Sequence, residues 1–214
     1  VNEPDRCCFD DWTAHWSRRV RRGRPAARIT ASLVEELERA GVRDRSVLDV
    51  GCGVGDLAIE VVQRGAREAT GLELSRRSVE EARRLAEHRG VADRTSFRVG
   101  DGARDELPPA DVVVLNRVFC CYPHVDALLE NSLAAAGAVY AFTTPPSTGF
   151  VGALARFLTR VSNVGYRLRD RTYRGFRVFV HDVERIDARV RAAGFRPVVN
   201  RRRVAWHLAI YVRS

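Results

Sequence analysis

The chain has no lysine and no methionine: all 36 of its basic residues are arginine. Set against 27 acids, they leave a formal charge of +9 over 214 residues. A surplus of that size invites a nucleic-acid reading. Arginines alternate with acids along most helical stretches, however, and a GC-rich codon usage swaps Lys for Arg across a proteome, so nucleic acid is not the expected partner. Val1 in place of methionine is what a literally translated GTG start, or a trimmed N-terminus, would leave. Cysteine is scarce, at five residues too poorly spaced for a disulfide framework. Cys7-Cys8 and Cys120-Cys121 are adjacent pairs that lack the C-x-x-C spacing of a zinc site. They read as small buried hydrophobes, although the two pairs brought together would suit a metal or a redox bridge. No metal is expected. No apolar run approaches the length of a membrane span, so no transmembrane segment is expected. The opening Val-Asn-Glu-Pro-Asp lacks the basic and apolar regions of a signal peptide. The expected compartment is the cytoplasm, with peripheral membrane contact and a homodimer left open.

A 214-residue chain that is 45% hydrophobic suits one domain with a sizeable core. The rest of the chain is organised around Val47-Leu48-Asp49-Val50-Gly51-Cys52-Gly53-Val54-Gly55-Asp56-Leu57. Residues of buried-strand character run into three alternate glycines, and a helical pattern follows at once. Such a turn leaves the first N–H groups of the helix unpaired and pointing outward. Glycine there permits φ > 0 and removes the Cβ that would hold a ligand off the backbone. The dinucleotide fingerprint G-x-G-x-x-G/A is broken, because the third glycine comes one place early and Asp56 stands where a small residue belongs. Asp49, two positions before the first glycine, would repel a pyrophosphate but hold a cation. A nicotinamide oxidoreductase is therefore disfavoured.

Downstream, strands are expected at 46–50, 69–74, 95–99, 111–115 and about 138–143. Helices are expected from Pro25 to Ala40-Gly41, from Asp56 to Arg64, and from a Ser78/Glu81 capping box to Arg89. Strands alternating with helices at this spacing mean a parallel sheet covered on both faces. Beyond Pro145-Pro146 the rhythm breaks. Residues 150–163 read as an amphipathic helix with Phe150, Leu154, Phe157 and Leu158 on its apolar side, Asp182 caps a helix to Gly194, and β-rich runs at 195–200 and 204–212 close the chain. At the N-terminus, Phe9, Trp12 and Trp16 fall on one helical stripe followed by Arg18, Arg19, Arg21, Arg22 and Arg24.

The glycine motif with its preceding Asp49 resembles the first motif of class I S-adenosylmethionine (SAM) methyltransferases, over roughly residues 45 to 145. The resemblance implies an α/β, Rossmann-like sheet of seven strands with helices on both faces and the last strand antiparallel. It implies an N-terminal helical lid and first helix (1–44), a SAM-binding core (45–145), a substrate cap inserted between strands five and six (146–180) and a closing helix and hairpin (181–214). SAM is the implied cofactor. Its implied contacts are Asp49, Gly51, Cys52, Gly53 and Gly55 in the turn, Glu73 and Leu74 after strand two with Glu73 on the ribose, Asp101 and Gly102 at the adenine, and Asn116 and Arg117 after strand four. The segment after strand four, Arg117 to His124, lacks the Asn/Asp-Pro-Pro-Tyr/Phe of DNA amino-methyltransferases. That departure argues against methylation of a base amine. Its Cys-Cys-Tyr-Pro is similar to a group of bacterial class I methyltransferases of unassigned substrate. The element order more distantly resembles the magnesium-protoporphyrin carboxyl methyltransferases.

The expected reaction is methyl transfer to a small, partly apolar metabolite, at a hydroxyl or carboxylate oxygen. His124, Tyr122 and His15 are the candidate bases, with His181 and the mid-strand His207 behind them. Arg156, Arg160, Arg167, Arg169, Arg171 and Arg174 in the cap would suit a hydrophobic, anionic acceptor. Two alternatives stay open: an RNA methyltransferase, and a SAM-binding regulatory protein without catalysis.

Overall fold

Seven strands form one sheet in the computed structural model, which describes residues 9, 10, 13, 28–168, 175–203 and 206–214. They are β1 (Ser46–Val50), β2 (Glu68–Glu73), β3 (Thr95–Val99), β4 (Ala110–Asn116), β5 (Ala136–Thr144), β6 (Phe195–Arg203) and β7 (Trp206–Arg213). The order across the sheet is β3-β2-β1-β4-β5-β7-β6. The first five strands pair in parallel, and β7 runs antiparallel between β5 and β6. The chain winds outward from β1 to β3 and then returns to lay β4 against the other edge of β1. The crevice beyond the carboxyl ends of β1 and β4 is thus a switch in strand order, where open α/β sheets bind ligands.

Because alternate strand residues point to opposite faces, the sheet carries two apolar layers. Val47, Val112, Val114, Val139 and Ala141 pack under α1 (Arg28–Arg39), α2 (Asp56–Gln63) and α3 (Arg76–His88). Leu48, Val50, Val113, Leu115, Tyr140 and Phe142 pack under α4 (Val125–Ala135) and α6 (Val183–Ala192). The hydroxyl of Tyr140 is fully buried, and it shares a 2.8 Å hydrogen bond with Ser132 Oγ. Asp49 alternates in step with Val47, and so sits with its carboxylate in an apolar layer.

One sequence expectation needs correction, and two elements add to the sequence reading. Helix α3 begins at Ser75, whose hydroxyl accepts from the Ser78 N–H; the Ser78/Glu81 pair lies inside the helix and does not cap it. Helix α4 was not anticipated: His124 at its N-cap makes no side-chain capping bond, and its last residue leads straight into β5 with no loop. The helix expected over 150–163 is α5 (Gly149–Leu168), and its apolar side faces away from the protein. Only Gly152 of α5 is buried. The helix meets the body through Gly152 against Ser147, through two bonds between Asn163 and the Val178 backbone (2.8 and 2.9 Å), and through Tyr166 edge-on to Phe176.

Gly152 has no room for a side chain, since an added Cβ would lie 2.3 Å from the Ser147 carbonyl carbon. Gly152→Ala is expected to push the first turn of α5 off its seat at a cost of about 1–3 kcal/mol. Thermal unfolding together with proteolytic nicking within 149–168 measures this, and an unchanged melting temperature and digest would show that the helix tolerates the shift.

Candidate active site

The glycine turn sits at the switch point between β1 and β4. Gly51, Gly53 and Gly55 have φ of 73°, 57° and 78°, the left-handed region where a side chain is strained. The turn is held down by bonds from the Gly51 and Cys52 N–H groups to the Leu72 carbonyl (2.7 and 3.1 Å), so it lies against the end of β2. The three glycines serve different purposes. A Cβ on Gly55 would meet the Phe97 ring at 2.8 Å, and one on Gly51 would meet Val118 at 2.6 Å, so these two allow the turn to pack. A Cβ on Gly53 would meet nothing within 4 Å, because it would project into a cavity of about 360 Å³. That volume lies in the range of small-molecule sites.

Asp49, Asp56 and Glu73 all line this cavity. Asp49 is buried with neither carboxylate oxygen hydrogen-bonded. Burial drives its pKa well above the usual carboxylate range, and the charges of Asp56 and Glu73 push it further; the Ala58 N–H dipole and Arg117 oppose this only in part. Burial also raises Asp56, with Arg117 countering. Glu73 is raised by burial too, while N–H bonds from Ser75 (3.1 Å) and Gly53 (2.9 Å) pull the other way. Glu73 thus clamps the glycine turn to the end of β2. Each of its oxygens keeps a lone pair for another donor. Asp56, directly after the third glycine, is a cavity acid that reading the motif only as a broken fingerprint overlooked.

Gly51, Cys52, Gly53, Leu74, Gly102, Asn116, Arg117 and Tyr122 also line the cavity, whereas Gly55, Asp101 and His124 do not. Asp101 stands just behind it. Its Oδ1 accepts from the Tyr122 hydroxyl at 2.7 Å and from the Ala103 N–H at 3.0 Å. Burial and the bond to Asp101 push Tyr122 up to about 12, so at neutral pH the phenol keeps its proton. Asn116 bridges elements, donating to Thr30 of α1 (3.0 Å) and accepting from Thr143 of β5 (2.8 Å). Arg117 follows with φ of 62°, unusual for a residue with a Cβ, and its N–H is fixed by the Thr143 hydroxyl at 2.9 Å. Cys120 and Cys121 also line the cavity, with sulfurs 3.5 Å apart. Among the described residues no cluster of His, Cys, Asp and Glu is arranged to hold a metal.

Among the described candidate bases Tyr122 lines the cavity and the histidines do not. His124 is exposed, with its ring edge-on to Tyr122 at 6.2 Å. His181 places Nε2 2.9 Å from the Tyr122 carbonyl and stacks on Phe179. His207 stacks on Phe142, and burial lowers its pKa. His15, Trp12, Trp16 and Cys7-Cys8 lie outside the described residues, as do Arg169, Arg171 and Arg174. Arg156 donates to the Ser147 carbonyl, and neither it nor Arg160 nor Arg167 lines the cavity. From the N-terminal stretch, Phe9 and Thr13 do reach the site. Thr13 shares a 2.6 Å bond with Ser78, the Ser75 hydroxyl donates to Asp10, and Phe9 meets Phe176 edge-on at 5.6 Å.

Three acids facing the turn would repel a phosphate. A nucleoside with a cationic end suits them, and on a seven-stranded sheet with an antiparallel β7 that combination defines the class I methyltransferases. The chain belongs to the methyltransferase domain family, whose pattern matches residues 18–199. SAM is the methyl donor of this class, and the residues fit it: the buried Asp49 carboxylate has no hydrogen bond, as a partner for a cation would, and the space over Gly53 is open. Among solved structures, magnesium protoporphyrin IX methyltransferase from Synechocystis PCC 6803, with bound SAH, shares the fold with a TM-score of 0.72, at 21% identity over 96% of both chains. An O-methyltransferase family protein from Burkholderia thailandensis gives a TM-score of 0.67 at 21% identity, over 87% of this chain and 57% of that one. Ribosomal protein L11 methyltransferase of Haemophilus influenzae (strain PittEE) is 40% identical over 87 residues, 41% of this chain and 29% of that protein. The match thus spans under a third of that curated relative.

Proposed function

We infer that the protein transfers a methyl group from SAM to an oxygen of a small, partly apolar metabolite. The observation that carries this reading is one cavity with an acid-lined end and an apolar wall. Asp49, Asp56 and Glu73 stand at one end, and Leu128, Tyr166, Phe176, Val178 and Trp206 stand among the walls. When bound, SAM supplies a methyl activated on a sulfonium, so the protein's task is mainly to align the acceptor and keep water out. In this reading Asp49 and Asp56 hold the cationic end, Glu73 accepts from ribose hydroxyls, and Gly102 borders the adenine with Asp101 behind it. Asn116 and Arg117 position the loop between donor and acceptor. Phe9 and Thr13 close the mouth as part of the N-terminal lid.

No described histidine lines the cavity, and Tyr122 holds its proton. An acceptor oxygen that arrives ionised needs no base, so a carboxylate suits this cavity better than a hydroxyl. The apolar wall, rather than the arginines of α5, then selects the acceptor. The magnesium protoporphyrin IX and O-methyltransferase neighbours support an acceptor of this kind by analogy of fold alone.

The test is titration with S-adenosylhomocysteine, with NADH as control, followed by transfer of labelled methyl to apolar carboxylic acids and phenols. Micromolar binding of the first ligand alone, and label released by mild alkali as expected of a methyl ester, supports the reading. Alkali-stable label on phenols would move the acceptor to a hydroxyl, and transfer to RNA alone would overturn it. In the same titration Glu73→Ala is expected to weaken S-adenosylhomocysteine by about 1–3 kcal/mol, because it loses both the ligand bond and the clamp on Gly53. A change within error would remove Glu73 from the site.

A further inference from the structure

Helix α5 is turned inside out relative to an ordinary surface helix. At roughly 100° per residue, Gly152, Asn163 and Tyr166 fall on one side, and these hold it to the protein. Phe150, Leu154, Phe157, Leu158, Val161 and Val164 fall on the opposite side, facing solvent; Phe150 and the terminal Leu168 are both 83% exposed. Arg160 and Arg167 line one flank of this stripe, Arg156 on the same flank is turned to the Ser147 carbonyl, and the helix contains no acid.

We propose that this face docks α5 flat on an anionic membrane surface. The helix has the two components of an interfacial helix: an apolar stripe to enter the acyl boundary, and an arginine row whose stems reach along it while the charges meet lipid phosphates. The charge pattern selects this occupant over a second copy. An antiparallel two-fold contact across the stripe would bring two arginine rows together and a parallel one would leave each row unpaired, with no acid on either helix, whereas anionic headgroups complement the row. The next residues in sequence, Arg169 to Arg174, add three arginines against one acid. No described helix is long and apolar enough to cross a membrane, so the contact is peripheral.

The test is co-sedimentation of the full chain with vesicles of phosphatidylglycerol and, separately, of phosphatidylcholine. Binding is expected to phosphatidylglycerol, weakened by salt, and to be poor on phosphatidylcholine. Phe157→Glu with Val161→Glu is expected to abolish it, and Arg160→Gln to weaken it about fivefold, the loss expected for one arginine near an anionic surface. Unchanged titration with S-adenosylhomocysteine, or an unchanged melting temperature, shows that these exposed variants fold. The proposal is overturned if the wild type sediments with neither vesicle, or if the double variant sediments like the wild type. It is equally overturned if light scattering finds a dimer that the double variant dissociates, because a second copy would then own the face.

Discussion

Asp49→Asn is expected to weaken S-adenosylhomocysteine binding by roughly 10- to 100-fold, the loss of a charged hydrogen bond, while leaving the empty protein at least as stable as before. The two halves have one cause. The Asp49 carboxylate is buried without a hydrogen bond, so its charge destabilises the empty fold until a ligand cation meets it. Its pKa in the fold lies above that of the unfolded chain. Below the unfolded pKa both states are protonated and stability is complete. As pH rises from there toward the folded pKa the unfolded state ionises first, and stability falls; above the folded pKa the loss is constant. The carboxamide has no such proton, so the advantage of Asp49→Asn should grow with pH through that window and then level off. Urea unfolding at mildly acidic and mildly alkaline pH, paired with calorimetric titration, measures both halves. A variant that binds normally, or that unfolds more easily at every pH, would mean that the carboxylate serves the fold and not a ligand.

Gly53→Asp should remove S-adenosylhomocysteine binding altogether without unfolding the protein. The position has φ of 57°, which aspartate adopts more readily than most residues, and beyond its chain neighbours no atom of the protein lies within 4 Å of the new Cβ. The side chain therefore enters the cavity and adds a fourth carboxylate to the three that line it. Gly53→Ala separates the two effects. It carries the strain of a left-handed residue, about 1–2 kcal/mol, but little bulk and no charge, and should bind weakly where aspartate does not bind. If both variants bind like the wild type, the ligand lies elsewhere.

The β1–turn–α2 unit was legible in the sequence because it is local. Three glycines, a preceding acid and the start of a helix all lie within eleven residues, and each has one structural reading. The strands were legible for a similar reason, since buried parallel strands are short apolar runs bounded by turns. Features that depend on distant partners were not. Asn116 looked like a ligand contact, yet its side chain joins Thr30 to Thr143 across three elements as well as facing the cavity. Ser78 satisfied the capping-box spacing, but the cap is set by where the chain leaves β2, and that is at Ser75. The Cys120-Cys121 pair read as small buried hydrophobes; Cys120 is buried, and both residues also line the cavity, which no spacing in the sequence signals. Amphipathicity revealed that α5 has two faces, but it carries no information about which one meets the protein; Gly152 and Asn163 decide that.

The role proposed for the unpartnered acid of β1 would also make the site a place where protons are traded. Whatever fraction of Asp49 is protonated in the empty protein, a cationic ligand favours the ionised form and sends that proton into the solvent. Uptake of the ligand would then exchange its positive charge for whatever proton Asp49 carried. Affinity should climb with pH until Asp49 is ionised on its own, and the heat of binding should carry the ionisation heat of whichever buffer receives the proton.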